Sequence, residues 1–425
     1  AGLRIGIDSA EAFTSTGVLV SATEPIAYSA KDTDAGTRAR ITRAEDNSTA
    51  ASQSEGATGT KATDDTKWGA EQKGDVIKAP GLGHWDNYGN KLIATITDSA
   101  TFEWDSDATG ATSTRATAVT SAPTASRLTL VSTPDRHLVF FGTETTIGTT
   151  STQDDMYIRW SDQEDINTYT PTATNTAGTQ RIADGTRIVG AIRGRDAIYV
   201  WTDNALFIMR FVGAPFTFSF QQVGTGCGLI GKNAAVEVDG SAYWMSENGF
   251  FRYTGKLESL PCLVEDYVYD DLNTVPRNHI NAGLNNLFGE VTWFYVSSGS
   301  TSIDRAVTYN YMDSTAERPV WTTSSLDRTA WADSAVFGKP HATYYDPDST
   351  SDSTVGNTDG ATTYYEHETG VNQVKAGTTT AIAANMASGD IDLDQQRGLG
   401  GDGEFMLKVR RIINDFLKQT GNAIV

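Results

Sequence analysis

The sequence predicts an all-β protein, a β-propeller of about six irregular blades with an extended N-terminal arm or loop rich in Ala, Ser and Thr. Three observations predict this fold. Short apolar runs of strand length recur along the chain, and each is followed by a polar turn and a second run. Aromatic residues are plentiful, with 9 Trp, 16 Tyr and 16 Phe, and strands favour them. Helical periodicity is scarce.

Residues 1–80 are interpreted as an N-terminal arm or loop region that is partly extended. Between residues 42 and 66 the composition is almost entirely Ala, Ser, Thr, Gly, Asp and Glu. A stretch so poor in aromatic and branched aliphatic residues buries too little apolar surface to offset the entropy of ordering it. An exposed arm is expected, and a loop ordered only against neighbouring subunits is the alternative.

Residues 81–385 hold the repeated unit from which the propeller is predicted. Each unit has a polar turn, a short apolar strand, a tight polar loop and a second strand that ends in an aromatic residue. The spacing of about 45 to 60 residues suits one four-stranded blade per unit, although a sandwich or an array of small β domains would look similar. The paired runs are residues 84–96 with 101–104, 135–141 with 155–160, 194–201 with 205–210, 239–245 with 249–253, 290–296 with 305–310, and 342–345 with 362–366.

The core and the C-terminal end are predicted from local patterns. Residues 197–200 and 205–209 are apolar without strict alternation, as expected for strands covered on both faces by neighbouring blades. Residues 386–425 are expected to form C-terminal strands, as a closing blade or a small terminal β region. Within them, residues 405–409 alternate as a strand does, whereas residues 409–417 would place apolar side chains on one face of a short helix. We prefer the strand.

The charge balance excludes one class of function. The chain has 33 Lys and Arg against 53 Asp and Glu, a formal net charge of −20. Holding DNA or RNA by its phosphates requires Lys and Arg, so a nucleic-acid-binding role of that kind is not expected. The charge is explained by a solvated, soluble surface, or by an acidic channel that nucleic acid passes without adhering. No apolar run reaches transmembrane length.

The cysteines and histidines have no metal-site spacing. Cys227 and Cys262 lie in apolar, strand-like surroundings, and buried thiols are expected, while a disulfide between them is left open. The five histidines are scattered and form no H-E-x-x-H pattern. The acidic stretches at residues 346–348 and 390–394 are interpreted as solvated turns, because neither has the length and glycine of a calcium-binding loop. No metal ligand is predicted.

One glycine-rich motif resembles a cofactor site in spacing alone. Residues 226–231 match G-x-G-x-x-G, but residues 232–238 predict a turn and another strand where a dinucleotide site requires a helix. A corner between blades is expected, and no cofactor is predicted. No G-x-S-x-G elbow is present. Glycoside hydrolases are the enzyme alternative, because propellers host sialidases, but the S-x-D-x-G-x-x-W turns of sialidases do not occur. We therefore predict no catalytic residue and no enzyme.

The chain from residue 134 to 273 resembles a family of phage proteins. The phrases that carry this resemblance stand in order at residues 133–142, 158–167, 175–178, 194–202, 226–231, 243–253 and 260–261, and include Thr133-Pro-Asp-Arg-His-Leu-Val-Phe-Phe-Gly142 and Tyr243-Trp-Met-Ser-Glu-Asn-Gly-Phe-Phe-Arg-Tyr253. Their order is similar to virion structural proteins of marine and other short-tailed bacteriophages. More distantly, it is similar to the tail-hub (nozzle) proteins called packaged-DNA stabilisation proteins. The resemblance covers the middle third of the chain well and the rest loosely.

This resemblance implies a virion structural protein of the tail, without enzymatic activity. Identical subunits would form a ring, a hexamer in the family, below the portal and adaptor proteins and near the tail fibres or spikes. The genome would be retained by and leave through this ring, and double-stranded DNA would pass without specific binding. If acidic groups face the channel, repulsion between like charges would keep DNA from adhering.

The family's motif positions imply blade architecture, so no functional residue is carried over. We expect Arg159 with Asp162 and Arg195 with Asp196 to pair at blade rims. Gly228 and Gly249 are expected to allow turns with positive φ.

Two rival functions remain. One is a peripheral receptor-binding spike or fibre-attachment protein that binds carbohydrate, with exposed Trp85 and Tyr88 stacking on sugars. The other, less favoured, is a glycan hydrolase.

Overall fold

The fold is an antiparallel β-propeller of six small sheets in the computed structural model. The structure describes residues 83–108, 115–133, 135–334, 337–346, 361–370, 372–375 and 378–382, together with the backbone of five strands among the first 62 residues. Blades 1 to 5 are four-stranded meanders with the strands in chain order, and blade 6 has three strands. The predicted all-β propeller is confirmed.

A five-stranded antiparallel sheet precedes the blades in sequence. Its strands are β1 (Arg4–Gly6), β2 (Gly17–Val20), β3 (Pro25–Asp32), β4 (Arg38–Thr42) and β5 (Thr60–Ala62). They pair in the order β1-β4-β3-β2-β5. Part of the region that we interpreted as an arm or loop is therefore a sheet, which we call the N-terminal sheet.

The first three blades follow in chain order. Blade 1 comprises β6 (Gly83–Tyr88), β7 (Lys91–Ile96), β8 (Thr101–Asp105) and β9 (Thr117–Ala118). Blade 2 comprises β10 (Ser126–Ser132), β11 (His137–Thr143), β12 (Tyr157–Trp160) and β13 (Gly178–Arg181). Blade 3 comprises β14 (Ile188–Arg193), β15 (Ile198–Thr202), β16 (Ala205–Gly213) and β17 (Thr217–Thr225).

The last three blades include the one α-helix of the described residues. Blade 4 comprises β18 (Ala235–Val238), β19 (Ser241–Ser246), β20 (Gly249–Tyr253) and β21 (Leu257–Leu260). Helix α1 (Glu265–Asp271) follows blade 4. Among the described residues, no helix is long and apolar enough to cross a membrane. Blade 5 comprises β22 (Asn281–Asn285), β23 (Glu290–Tyr295), β24 (Arg305–Asn310) and β25 (Val320–Ser324). Blade 6 comprises β26 (Ala330–Ala332), β27 (His341–Asp346) and β28 (Ala361–Glu366).

The chain divides into two compact units, residues Ala1–Glu368 and Thr369–Val425. In the second unit the described residues form a hairpin of β29 (Asn372–Lys375) and β30 (Thr378–Ala381). The predictions for residues 386–425, including the strand at residues 405–409, lie outside the described residues, as does the acidic stretch at residues 390–394.

The first strand of each blade lies innermost. Each of β6, β10, β14, β18 and β22 contacts the first strand of the next blade. A parallel bridge joins Asn233, which precedes β18, to Asn281 of β22, so these two inner strands run in the same direction. The turn after each first strand and the turn after each third strand therefore lie at one end of the propeller, which we call the first-turn end.

Hydrogen bonds between neighbouring blades confirm this common end. The Tyr199 hydroxyl donates to the Gly240 carbonyl over 2.9 Å, which joins the first turns of blades 3 and 4. The Asn286 side-chain amide donates to Asp333 Oδ2 over 2.6 Å, which joins the first turns of blades 5 and 6.

Buried and half-buried tryptophans join the later blades to one another by hydrogen bonds. The indole N–H of Trp244 donates to the Cys227 carbonyl over 2.8 Å, and that of Trp293 donates to the Ala234 carbonyl over 3.0 Å. Trp321 and Trp331 likewise donate to the carbonyl groups of Pro261 and Leu284, both over 2.8 Å. Each bond joins a blade to the preceding blade or connection, so the recurring aromatic residue of the predicted unit also serves as a polar tie.

Some glycines are required because a neighbouring group fills the space of a Cβ. A Cβ at Gly283 would lie 2.6 Å from the Trp331 ring. At Gly228 a Cβ would lie 2.2 Å from the Asp203 carbonyl oxygen. Gly249 has a φ of 121°, as predicted, whereas Gly228 is not among the positive-φ residues, so that prediction was wrong. Gly228 is needed for close backbone approach instead.

Candidate functional site

A partly buried polar network lies between blades 2 and 3, at the first-turn end. Here a small cleft of about 20 Å³ is lined by residues that include Ser132, Asp135, Arg193, Arg195, Asp196 and Phe211. The sequence predicted no catalytic, cofactor-binding or metal-ligating residue, so this site was not anticipated. We call Ser132, Asp135, His137, Asp162 and Thr176 the Asp135 cluster.

Asp135 and His137 form a fully buried pair beneath this cleft. His137 Nδ1 lies 2.5 Å from Asp135 Oδ2, and the side chains are 0% and 1% exposed. The Ser132 hydroxyl donates to Asp135 Oδ1 over 2.6 Å. The His137 ring also contacts the rings of Phe211 and Phe218, with centroids 5.8 and 5.2 Å away. The pair is therefore held by the hydroxyls of Ser132 and Thr176 and by two aromatic rings of blade 3.

Thr176 joins this pair to Asp162. Its hydroxyl lies 3.0 Å from His137 Nε2 and 2.6 Å from Asp162 Oδ1. Its backbone N–H donates to the same Asp162 oxygen over 2.8 Å, and the Gln163 N–H donates to it over 2.9 Å. Burial alone would raise the pKa of Asp162, but the hydrogen bonds from Thr176 and Gln163 outweigh it and lower that pKa.

The carbonyl of Thr176 extends the network to an outer strand. It accepts the Trp160 indole N–H over 2.9 Å and the Thr217 hydroxyl over 3.0 Å. Thr217 begins β17 of blade 3. Thr176 therefore ties β11 and β12 of its own blade to the next blade.

The carboxylate–histidine–threonine order resembles that of a hydrolase triad, but its polar groups are engaged internally. The Thr176 hydroxyl has a single proton, which lies within reach of both Asp162 and His137, and it also accepts the Gln163 N–H over 2.9 Å. A nucleophile must present its oxygen to a substrate with a base free to take the proton. In this arrangement the network fastens three segments together and offers no free nucleophile.

The rim of the cleft carries the remaining charged side chains. Arg193 Nη2 lies 3.0 Å from Asp86 Oδ1, and Asp86 Oδ2 accepts the Val131 N–H over 2.7 Å. Arg195 and Asp196 are exposed, and the ion pairs of the described residues do not include one between them, so that predicted pairing was wrong. Adjacent turn residues direct their side chains apart more readily than cross-strand neighbours do.

The predicted pairing of Arg159 with Asp162 was also wrong. The Arg159 guanidinium is buried and donates to three backbone carbonyls, the shortest bond being 2.8 Å to Thr145. Arg159 lies on β12, whereas Asp162 follows the strand and turns toward Thr176. Backbone carbonyls accept the hydrogen bonds of Arg159 Nη1 and Nη2, and Nε is buried without a hydrogen-bond partner among the described residues.

A second buried polar contact links the connection before blade 4 to blade 1. Lys232 precedes β18, is buried, and its Nζ lies 3.4 Å from the Gly83 carbonyl and 3.2 Å from Thr97 Oγ1, both in blade 1. Removal from water lowers the pKa of Lys232 to about 8. Burial, with the positive charge of Lys232, lowers the pKa of His84 to about 3. This lysine therefore joins the connection before blade 4 to blade 1, which is not its neighbour in the blade series.

The cysteines and the glycine motif have structural positions. Cys227 and Cys262 are both free thiols, the first buried and the second half-buried, and burial raises the pKa of Cys262 to about 11. Residues 226–231 form the corner between β17 and β18, as predicted, and a strand follows them. Among the described residues, no three His, Cys, Asp or Glu side chains are grouped to hold a metal ion.

Only one of the two aromatic residues proposed for sugar binding is exposed. Trp85 is 69% exposed, whereas Tyr88 is 7% exposed and its hydroxyl donates to the Arg136 carbonyl over 3.1 Å. Neighbouring positions on a strand alternate between faces, and residues 85 and 88 differ by an odd number, so the two rings lie on opposite faces of β6. The prediction that both rings are exposed was wrong for Tyr88.

Comparisons with known proteins concern the fold alone. No protein-family model and no curated protein matches the chain. A putative 6-phosphogluconolactonase from Bacteroides fragilis is similar at 10% identity and a TM-score of 0.39, over 77% of this chain and 86% of its own. BamB from Moraxella catarrhalis is similar at 12% identity and a TM-score of 0.31, over 60% and 77%. AztD from Citrobacter koseri has 9% identity and a TM-score of 0.32, over 57% and 72%. Likenesses at this level carry no argument about chemistry or partners.

Proposed function

We propose that the protein is a non-enzymatic structural subunit of a bacteriophage tail, a hub or nozzle component of a ring through which the genome is retained and ejected. The observation that carries the proposal is the order of phrases between residues 134 and 273, which resembles that of short-tailed phage hub proteins. These phrases form strands and turns of blades 2 to 4, so the resemblance is one of architecture.

The chemistry of the candidate site agrees with a structural role. The hydroxyl and carboxylate groups of the Asp135 cluster bond to one another, to the backbone or to His137. Buried polar groups satisfied in this way rigidify a fold and fix one arrangement. A tail conduit needs a subunit of constant shape, and such a network supplies it without any reaction.

Exposed apolar side chains at the first-turn end support contact with identical subunits. Phe216 at the β16–β17 turn is 77% exposed, Met312 after β24 is 65% exposed, and Phe288 at the β22–β23 turn is 53% exposed. Exposed large apolar side chains are candidates for burial in a protein–protein interface. We assign this end to the contact between neighbouring subunits of the ring.

The proposed conduit runs between subunits, not along the axis of one propeller. Lys232 joins the connection before blade 4 to blade 1, and the charged residues of the inner strands are balanced, namely Asp86, Arg127, Arg193 and Glu237. An acidic wall that repels DNA would therefore be built from surfaces outside the blade centre, where the excess of carboxylates lies.

Oligomeric state and position in the particle test the proposal. Native mass spectrometry and electron microscopy of the purified chain should show closed rings, and labelling of intact particles should place the chain on the tail axis. Phe216→Ser combined with Met312→Ser should abolish the rings. The control is Val275→Ser, a 90% exposed residue before β22, at the other end.

Four outcomes would contradict the proposal. A chain that stays monomeric at all concentrations, or one found only at the periphery of the particle, is not a hub. Retention on a glycan array together with a peripheral position would favour the receptor-binding alternative. Release of reducing sugar from a glycan would favour the hydrolase.

A further inference from the structure

The end of blade 6 is held against the connection from blade 5 by a contact between two basic side chains. Arg328 lies in that connection, just before β26, and is 3% exposed. Its Nε donates a hydrogen bond to Nε2 of His367 over 2.9 Å. His367 directly follows β28, the outermost strand of blade 6. The contact therefore fastens the last strand of the blade to the segment that leads into its first strand.

Arg328 is anchored independently of this contact. Its Nη1 donates to Asp327 Oδ1 over 2.8 Å, and its guanidinium lies 3.9 Å from the centre of the Tyr365 ring. Its carbonyl accepts the side-chain amide of Asn281, in the innermost strand of blade 5, over 3.1 Å. Asp327 and Asn281 both lie outside blade 6, so they hold the arginine in place whatever the state of His367.

His367 is half-buried at the edge of the blade. Its ring packs against Trp331, with centroids 4.6 Å apart, and its backbone N–H donates to the Pro340 carbonyl over 2.8 Å. Because the ring is half-buried, it can rotate toward solvent, whereas the guanidinium of Arg328 is enclosed. A change at this contact therefore moves the histidine and the end of β28.

The geometry fixes the protonation state of His367. An arginine Nε always carries a proton, so the Nε2 that faces it must be an unprotonated acceptor. A proton on this Nε2 would place two donors opposite each other at 2.9 Å and a second positive charge beside the arginine. The contact therefore requires a neutral imidazole, with its proton on Nδ1.

The surroundings of His367 oppose its protonation. Burial is the first cause, and the charges of Arg328 and of His341 on β27 add to it, so that the pKa of His367 is lowered to about 4. Tyr365, the preceding aromatic residue, is uncharged in acid. The carboxylates of this region are each engaged with another group, in the pairs Asp327–Arg328, Glu366–Lys339 and Glu368–Asn285.

We propose that the contact between His367 and Arg328 is an acid-sensitive latch. A neutral His367 holds the end of blade 6 against the connection from blade 5, and protonation of its Nε2 releases that end. Since β28 is an edge strand that pairs with β27, no further strand among the described residues holds it once the latch opens. The proposal does not depend on a role in a phage tail.

The direction of the pH effect follows from proton linkage. His367 has a pKa of about 4 when latched and an ordinary pKa of 6.5 when released, so the released form binds more protons between these values. The released population therefore rises as the pH falls from 6.5 toward 4, and the latch is closed above this range.

Hydrogen exchange of the full chain, followed by mass spectrometry, tests the latch. After correction for the intrinsic rate at each pH, residues 361–368 should exchange at least about ten-fold faster at about pH 4 than at neutral pH, because their amides exchange through local opening. Residues 198–202 of β15, in blade 3, should change far less. Equal changes in the two segments would overturn the proposal.

A substitution of the histidine separates the latch from a general loosening in acid. The side-chain carbonyl of His367→Gln accepts a hydrogen bond but does not titrate, so exchange of residues 361–368 should no longer depend on pH in this variant. The control is His279→Gln, which removes a histidine outside blade 6 and should leave the acid response unchanged. An acid response that persists in His367→Gln would refute the latch.

Nitrogen-15 NMR of the histidine-labelled chain monitors the contact itself, and His367→Gln identifies the signal. At neutral pH the Nε2 of His367 should have the chemical shift of an unprotonated nitrogen, with the proton on Nδ1. The ring should titrate with a pKa below 6.5. A proton on Nε2 at neutral pH, or a pKa of 6.5 or above, would overturn the proposal whatever the variants do.

Discussion

Thr176 links the Asp135 cluster to Trp160 and to blade 3. Its hydroxyl contacts His137 and Asp162, and its carbonyl accepts from Trp160 and Thr217. We expect Thr176→Val to lower the free energy of unfolding by about 1–3 kcal/mol, because a polar group of the cluster is left without its partner. Urea unfolding followed by circular dichroism measures this change.

The control for that variant is Thr174→Val, two residues earlier. Thr174 is exposed and its hydroxyl contacts only that of Thr172, at 3.3 Å. The same loss of a hydroxyl should change stability there by less than about 0.5 kcal/mol. Equal effects at the two positions would show that the cluster does not stabilise the fold.

Asp162 makes stability depend on pH in the acidic range. Its folded-state pKa lies below the ordinary value of 3.8, so its hydrogen bonds stabilise the fold fully above that value and are lost as pH falls through the folded-state pKa. Asp162→Asn should be less stable at neutral pH, since a neutral acceptor forms weaker hydrogen bonds. The difference from the unaltered protein should shrink as pH falls below 3.8. Urea titrations at a series of pH values test this, and a constant difference would contradict it.

At the scale of the element, the tryptophan ties explain how blades hold one another. Trp293 and Trp201 are both 0% exposed, but the Trp293 indole donates to Ala234, whereas Trp201 Nε1 has no hydrogen-bond partner among the described residues. Trp293→Phe should destabilise the protein by about 1 kcal/mol more than Trp201→Phe, because it removes a buried hydrogen bond, although the Ala234 carbonyl still accepts the Met245 N–H. Thermal and urea unfolding of the two variants provide the comparison, and equal losses would mean that the hydrogen bond contributes nothing.

The sequence predicted the middle strands of the blades better than their innermost and outermost strands. Residues 198–201 belong to β15 and residues 205–209 belong to β16. Their side chains are buried, so these residues had to be apolar. An outer strand such as β13, Gly178–Arg181, is partly exposed and has the composition of a loop. Innermost strands such as β22, Asn281–Asn285, have small and amide residues because neighbouring strands and Trp331 lie so close. Neither pattern can be distinguished from a turn by periodicity.

The candidate site and helix α1 were not predictable for a different reason. Asp135 and His137 stand two residues apart, but Thr176 lies 39 positions from His137, and only the loop before β13 brings them together. Helix α1 contains just Val268 as a buried residue, so it has no apolar stripe to reveal it. Acidic residues in its first turn suit the helix dipole but are too common in this chain to be informative.

At the scale of the whole molecule, Lys232 links blades that are far apart in sequence. Its pKa is about 8 in the folded protein and 10.5 ordinarily, so the unfolded chain binds more protons between these values. Stability should therefore rise as pH increases from about 8 to about 10.5, relative to Lys232→Met, in which the rise is absent. Chemical unfolding across this range checks the prediction, and parallel curves for the two proteins would contradict it.

The blade junctions also have an optical consequence. The rings of Trp201 in blade 3 and Trp244 in blade 4 have centroids 5.4 Å apart at 60°. Two indoles so close and so inclined couple their electronic transitions, which gives paired circular-dichroism bands of opposite sign that vanish when the rings separate. Trp201→Phe should remove this couplet while the β-sheet signal stays. The separation of two particular blades could thus be followed by light alone, without any added label, as the protein assembles or comes apart.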